Sequence, residues 1–142
     1  MKIQYPVRIH KAGEGGYWAE FPDLPGCVTE GDTLKETLEN AQEALSGWIA
    51  SKFERNFEVP VASSPKGKSI HLVEPYPEVM VPLLLRKIRA EIGLSQKEVA
   101  KKLAITYQTY QMWEKPASAN PTIKQLAKVA SAVGKKLILE FA

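Results

Sequence analysis

The sequence predicts an α+β domain of order βββαβ followed by an all-α domain that ends in a β-strand. Three observations predict it. Apolar residues alternate near the start of the chain and then recur at helical spacing, which dominates the second half. Charge divides along the same line: residues 1–60 hold 6 Lys and Arg against 10 Asp and Glu, whereas residues 81–142 hold 11 against 4. Five prolines fall between residues 59 and 82, a density that interrupts regular structure. The expected division is residues 1–73, a linker at 74–81, and a second domain at 82–142.

The elements follow in order. Ile3, Tyr5, Val7 and Ile9 alternate with polar residues and mark a half-buried strand; Pro6 within it argues for an edge position or a bulge. Gly13-Glu14-Gly15-Gly16 is a hairpin turn. Tyr17 to Phe21 alternates again, Pro22-Asp23-Leu24-Pro25-Gly26 is a turn, and Cys27 to Glu30 is a third strand. Thr33 and Glu36 have the spacing of a capping box and open a helix over about residues 34–53. Its expected apolar stripe is Leu34, Leu38, Ala41, Leu45, Trp48 and Ile49. Ile70 to Val73 is a fourth strand.

In the second half, Pro82 is expected to open a helix with Leu84, Leu85, Ile88 and Ile92 on its apolar face, stopped by Gly93. Ser95 with Glu98 caps a second helix, from Gln96 to Leu103. Thr106 caps a third, from Tyr107 to Glu114. Asn120 and Pro121 are expected to open a fourth, with Gly134 after its end. Lys135 to Phe141 alternates and is expected to be a strand.

Composition bounds the function. A hydrophobic share of 44% and a charged share of 25% describe a folded chain, not a disordered one. The longest apolar run, Val81 to Leu85, is far short of the ~20 residues of a membrane span. No secretory signal is visible at the start, and a single cysteine, Cys27, cannot form an internal disulfide; a cytoplasmic location is the expectation. The acidic half should attract a basic partner and the basic half a polyanion.

About three residues join the second and third helices, the spacing of a helix-turn-helix that holds its second helix out for the major groove. The stretch Leu94-Ser95-Gln96-Lys97-Glu98-Val99-Ala100-Lys101-Lys102-Leu103-Ala104-Ile105-Thr106 resembles the lambda-repressor/Cro-like (XRE-type) helix-turn-helix family. So does Asn120 to Ala130 as the helix that follows, and the likeness covers roughly residues 83–134. The resemblance implies that Gln96 contacts the phosphate backbone. It also places Thr106, Tyr107, Gln108, Thr109, Met112 and Lys115 at the DNA, with Tyr110 and Trp113 inward. Gln can bond adenine bidentately, and a Thr methyl can touch thymine. Ala104 stands where that family usually has glycine, at a turn position that often needs positive φ. Lys115-Pro116 replaces the usual Asn-Gly or Arg-Gly.

Gly16 to Thr33, followed by Glu36 and by Asn40-Ala41-Gln42-Glu43-Ala44-Leu45, closely resembles the HicB antitoxins over about residues 3–62. That resemblance implies a partial RNase H-like fold that binds and masks a HicA toxin, a small basic mRNA-cleaving ribonuclease. Antitoxins of this kind often carry a DNA-binding domain and repress their own operon. The candidate toxin-binding residues are Trp18, Glu20, Asp23, Glu30 and Asp32: carboxylates to meet a basic surface, and an aromatic anchor. Leu137, Leu139 and Phe141, on the final strand, are the candidate residues for a two-fold homodimer.

An enzyme is not expected. Asp23 and Asp32 lie in turn and capping contexts and cannot be placed in a cluster of inward carboxylates. His10, His71 and Cys27 lack metal-ligand spacing, and Cys27 reads as a packed small residue rather than a nucleophile. No phosphate loop, nucleophile elbow or zinc pattern is present, and no cofactor is implied. A stand-alone transcriptional regulator with a ligand-sensing first domain and a degenerate ribonuclease are the alternatives.

Overall fold

A computed structural model describes residues 1–142. The chain forms two compact units, residues 1–80 and 81–142. No helix is long and apolar enough to cross a membrane.

The first unit is an antiparallel sheet with one helix on it. Its strands are β1 (Tyr5–Lys11), β2 (Tyr17–Glu20), β3 (Val28–Gly31) and β4 (Ile70–Val73), in the order β3-β2-β1-β4. The helix α1 (Leu34–Glu54) lies between β3 and β4 in sequence. β1 is therefore central, not an edge. Pro6 is tolerated because β1 is paired only on one side there: β4 spans Tyr5 to Arg8, while β2 pairing starts at Arg8. Ile9 N–H donates to Ser69 on the β4 side. Backbone N–H groups alternate sides, so the Pro6 nitrogen faces the side where β2 has already ended.

Tyr5, Val7, Ala19 and Phe21 are buried, as are Ala41, Leu45, Ile49 and Phe53 of α1. The buried stripe of α1 runs Thr37, Ala41, Leu45, Ile49, Phe53, with Ser46 beside it. That is a rotation from the expected stripe: Leu34 is exposed, and Leu38 and Trp48 are half-buried. Two small hydroxyl residues go inside because their polar groups are satisfied there. Thr37 Oγ1 donates to Thr33 O at 2.7 Å; Ser46 Oγ donates to Gln42 O at 2.7 Å and accepts the N–H of Tyr76 at 2.9 Å. Their size also lets β3 come close: a Cβ on Gly31 would sit 2.6 Å from Thr37 Oγ1 and 2.7 Å from Thr37 N. Only half of the expected capping box forms. Thr33 accepts from Glu36 N, but the Glu36 carboxylate takes the N–H of Asp32 rather than that of Thr33.

The second unit is built from α2 (Pro77–Ile92), most of which it contains, and from α3 (Gln96–Lys102), α4 (Tyr107–Trp113) and α5 (Ile123–Ala132). The helix expected to open at Pro82 opens at Pro77, so residues 77–81 are helical rather than linker. Pro77 suits a first helical position, and Tyr76 O accepts the N–H groups of Val79 and Met80. Pro82 is then interior to the helix; it forfeits one hydrogen bond and buries its ring. The inward face of α2 also differs from expectation. Leu83 and Leu85 are buried, Leu84 and Ile88 are half-buried, and Ile92 is exposed, because Arg89, one turn beyond Leu85, turns toward a buried carboxylate.

Leu85, Val99, Ala100, Leu103, Tyr110, Trp113 and Val129 form the core, with Val81, Leu94, Ile105 and Ala132 against it. The Ser95–Glu98 capping box is complete. The last helix starts two residues later than expected, at the Thr122 cap. Thr122 and Gln125 satisfy each other's backbone N–H groups; Asn120 has Ile123 at that distance and cannot. Gly93 (φ 70°), Ala104 (φ 55°) and Gly134 (φ 71°) each close a helix in the left-handed region. At Ala104 the bonds are Ile105 N to Ala100 O and Ala104 N to Lys101 O, a Schellman ending built without glycine. Residues 135–142 form no strand and pair with no ladder.

Glu114 closes the core. Its side chain is fully buried and receives Arg89 Nε at 2.8 Å, Arg89 Nη2 at 2.9 Å and Gln96 Nε2 at 3.1 Å. Arg86 Nε donates to its backbone carbonyl at 3.0 Å. Burial works against ionisation, but hydrogen bonds from Arg89, Tyr110 and Gln96 outweigh it and hold the carboxyl below its ordinary range. An unfolded glutamate titrates near pH ~4.3. The ionised network therefore contributes fully above that value, and its contribution is lost as pH falls through the lower, folded value. Thermal melts of the second unit should be flat from about pH 5 to 7 and fall at lower pH. Glu114→Gln should flatten the acid limb and cost about 3–5 kcal/mol at neutral pH, as removal of one partner of a buried pair does. An acid limb unchanged in the variant would assign the acid sensitivity to other groups.

Candidate interaction surfaces

The turn between α3 and α4 runs from Leu103 to Thr106 and places α4 outward. Thr106 Oγ1 accepts the N–H of Thr109 and donates to Thr109 Oγ1 at 2.8 Å, so both hydroxyls serve the helix start. Tyr110 (1% exposed) and Trp113 (6%) pack inward, edge to face with centroids 6.0 Å apart. Burial and the Glu114 carboxylate push the Tyr110 phenol pKa up. On the opposite side Gln108, Met112 and Lys115 are exposed, and Tyr107, Thr109 and Gln111 are half-buried. Six of the seven residues that sequence reasoning placed at the DNA thus run along α4, from its cap Thr106 to Lys115 just past its end, and the seventh, Gln96, opens α3. Gln96, the first residue of α3, is half-buried and already engaged: Nε2 donates to Glu114, and Oε1 accepts from Tyr107 at 3.4 Å. Arg89, Ser95, Gln96, Lys97 and Tyr107 line a shallow open groove there, and Lys97 Nζ lies 5.4 Å from the Tyr107 ring centroid.

Sequence reasoning missed Arg89, Glu114 and Gln111. The signal for Gln111 was its spacing of four from Tyr107, which puts the two on one face. Glu114 carried a weaker signal, as a lone acid between Trp113 and Lys115.

The first unit gathers three of its five candidate residues. The outward face of the sheet carries Trp18 (39% exposed), Glu20 and Glu30, with Arg8, His10, Val28 and Leu72. The register sets His10 beside Trp18, Trp18 beside Glu30, Arg8 beside Glu20 and Glu20 beside Val28. Trp18 stacks on His10 with centroids 4.0 Å apart. Glu20 Oε1 lies 3.4 Å from both Arg8 Nη1 and His10 Nε2, in partly solvated contacts of small energetic weight. Asp23 is committed elsewhere: its carboxylate accepts the N–H and O–H of Ser63 at 2.9 and 3.0 Å, pinning the extended segment after α1. Tyr5 Oη donates to Pro60 O at 2.7 Å in the same segment, and burial with the nearby Asp23 charge raises that phenol to about 12. Asp32 sits at the start of α1, its N–H held by Glu36. Cys27 is buried, and burial pushes its thiol up to about 11, so it is almost wholly protonated at neutral pH and a poor nucleophile.

Of the tail residues, Leu139 (63%) and Phe141 (102%) are exposed, as is Ile138, while Leu137 is half-buried.

Comparison with known proteins gives the family of the chain. The chain is 33% identical to antitoxin HicB 1 of Photorhabdus laumondii over 138 residues, 96% of this chain and 86% of that protein. It is 33% identical to antitoxin HicB of Escherichia coli K12 over 101 residues, 71% of this chain and 72% of that one. The crystal structure of the Burkholderia pseudomallei antitoxin HicB aligns with 64% of this chain and 85% of its own, at 21% identity and a TM-score of 0.47. A helix-turn-helix family model matches residues 85–138. The model of the HicB-like antitoxins of bacterial toxin–antitoxin systems matches residues 5–106, and the chain belongs to that family, one of antitoxins and not of enzymes.

Proposed function

We propose that the chain neutralises a HicA-like toxin with its first unit, and represses its own operon by binding operator DNA with its second. The observation that carries this reading is the division of charge between two separately folded units. Residues 1–80 carry a net charge of −4 and residues 81–142 a net charge of +7. In the second unit Lys97, Lys101, Lys102, Lys115, Lys124 and Lys128 are all exposed, free to neutralise phosphates. The relatives' names support the antitoxin role, and the reading places it in the cytoplasm.

The partner surface in the first unit is the outward face of the sheet. Trp18 is its anchor: broad, partly exposed and held flat by His10, with Glu20 and Glu30 at its rim to face a basic ribonuclease. Trp18→Ala in the whole chain should weaken toxin binding at least ~30-fold, as loss of a hot-spot residue does, and leave DNA binding unchanged. Calorimetric titration with a purified HicA-like toxin measures it. Unchanged affinity would move the interface off this face.

In the second unit α4 enters the major groove. Gln108→Ala should cost roughly 1–3 kcal/mol on the operator and little on random duplex, the pattern of a lost base contact. Equal losses on both DNAs would remove Gln108 from base reading.

The tail completes a two-fold assembly. Residues 135–142 alternate, leave Leu139 and Phe141 in solvent, and have no ladder partner in their own chain. Pairing with the same segment of a second copy supplies that partner and covers those side chains. A chain truncated after Gly134 should sediment as a monomer and bind operator much more weakly. A truncated chain that remains dimeric would place the two-fold contact elsewhere.

A further inference from the structure

We propose that Gln111 reads an adenine in the operator and that Tyr107 positions it, an inference that rests on the DNA-binding reading above. The series of oriented groups starts at Glu114. Its carboxylate, ionised by Arg89, can only accept. The Gln96 amide must therefore turn its Nε2 toward Glu114, at 3.1 Å, which leaves Oε1 toward Tyr107. An amide oxygen can only accept, so the Tyr107 hydroxyl spends its hydrogen there, at 3.4 Å. The Tyr107 oxygen is then left as an acceptor, and Gln111 Nε2 donates to it at 3.3 Å. Each orientation follows from the one before, and the series is anchored on a buried ion pair.

Gln111 is left with one N–H and with Oε1. That donor and acceptor match N7 and the N6 amino group of adenine in the major groove. The second donor, which guanine's N7 and O6 would need, is spent on Tyr107. The rest of the helix points the same way. α4 contains no Arg or Lys, the usual partners of guanine. The exposed cations around it are lysines, which suit phosphates as point charges. Base reading on α4 therefore falls to amides. Lys97 over the Tyr107 ring further restricts that ring.

The test is selection of binding sites by the full-length chain from a pool of duplexes randomised over 20 base pairs, about two helical turns and so wide enough for two half-sites. Wild type, Gln111→Ala and Tyr107→Phe are compared, with each variant's melting curve recorded. The wild type should enrich adenine at a position per half-site that Gln111→Ala alone releases, with a loss there of about 5- to 150-fold in discrimination. Tyr107→Phe keeps the ring but frees the Gln111 amide to turn. Guanine should then become tolerated at that same position and at no other. An unchanged base preference in Gln111→Ala overturns the reading role. Loss of random-duplex binding in Tyr107→Phe would put Tyr107 on the phosphates and overturn its positioning role. If the wild type enriches no sequence, the DNA-binding reading itself falls and takes this inference with it. Sequence-selective binding with no effect from either variant defeats the inference alone.

Discussion

The second unit depends on one buried carboxylate. Glu114 is the only buried carboxylate, and leaving it there without partners would cost several kcal/mol. The cost is met by a fork of two hydrogen bonds from Arg89 on α2, one from Gln96 on α3 and one from the Tyr110 hydroxyl on α4. Apolar packing alone would let these short helices slide by a fraction of a turn at little cost. A carboxylate that accepts from three helices at fixed angles does not. An apolar substitute of similar volume could match the pair in stability, but it could not orient the Gln96 amide. The same contact therefore sets both the helix packing and the direction in which the surface polar groups point.

The first unit is governed by a different constraint, the close approach of β3 to α1. Gly31 has no room for a Cβ, and Thr37 faces it from the helix. Placing Thr37 and Ser46 inside looks unfavourable by hydrophobicity, yet both hydroxyls return their hydrogen to the carbonyl four residues earlier. Ser46 also receives the N–H of Tyr76, just before α2. The sheet's outer face is left uncovered by α1, and Trp18, Val28, Glu30 and Leu72 on it are exposed.

Much of the fold was legible in the sequence, and the legible parts are those decided by local chemistry. The four strands, the Thr33, Ser95 and Thr106 caps, and the glycine stops at Gly93 and Gly134 depend on residues within a few positions of each other. Ala104, where the resembled family usually has glycine, takes the positive φ of that turn without one. Misreadings arose where two local signals competed. Pro77 and Pro82 both suit a helix start, and Asn120 and Thr122 both suit a cap; which one forms depends on what the backbone meets next. The tail's alternation was a true pattern, but a strand needs a neighbour, and none is present in the single chain.

The sequence by itself determined the division into an acidic α+β part and a basic helical part, the register of the helix-turn-helix, and the exposure of Gln108, Met112 and Lys115. The division and the register follow from composition, period and capping, all readable over short distances; the exposure of those three residues followed from the likeness to the helix-turn-helix family. Tertiary structure decided which face of α1 goes inward, that Arg89 rather than Ile92 turns into the core, and that Asp23 holds Ser63 instead of facing outward with Trp18, Glu20 and Glu30. It also decided the direction of every amide between Glu114 and Gln111. The physical reason is the same in each case. A polar group removed from water must find a partner of the right donor or acceptor kind at about 3 Å, and even the half-buried Asp23 is fixed by a distant one: the decisive partner lies 25 residues away for Arg89, 18 for Gln96 and 40 for Asp23.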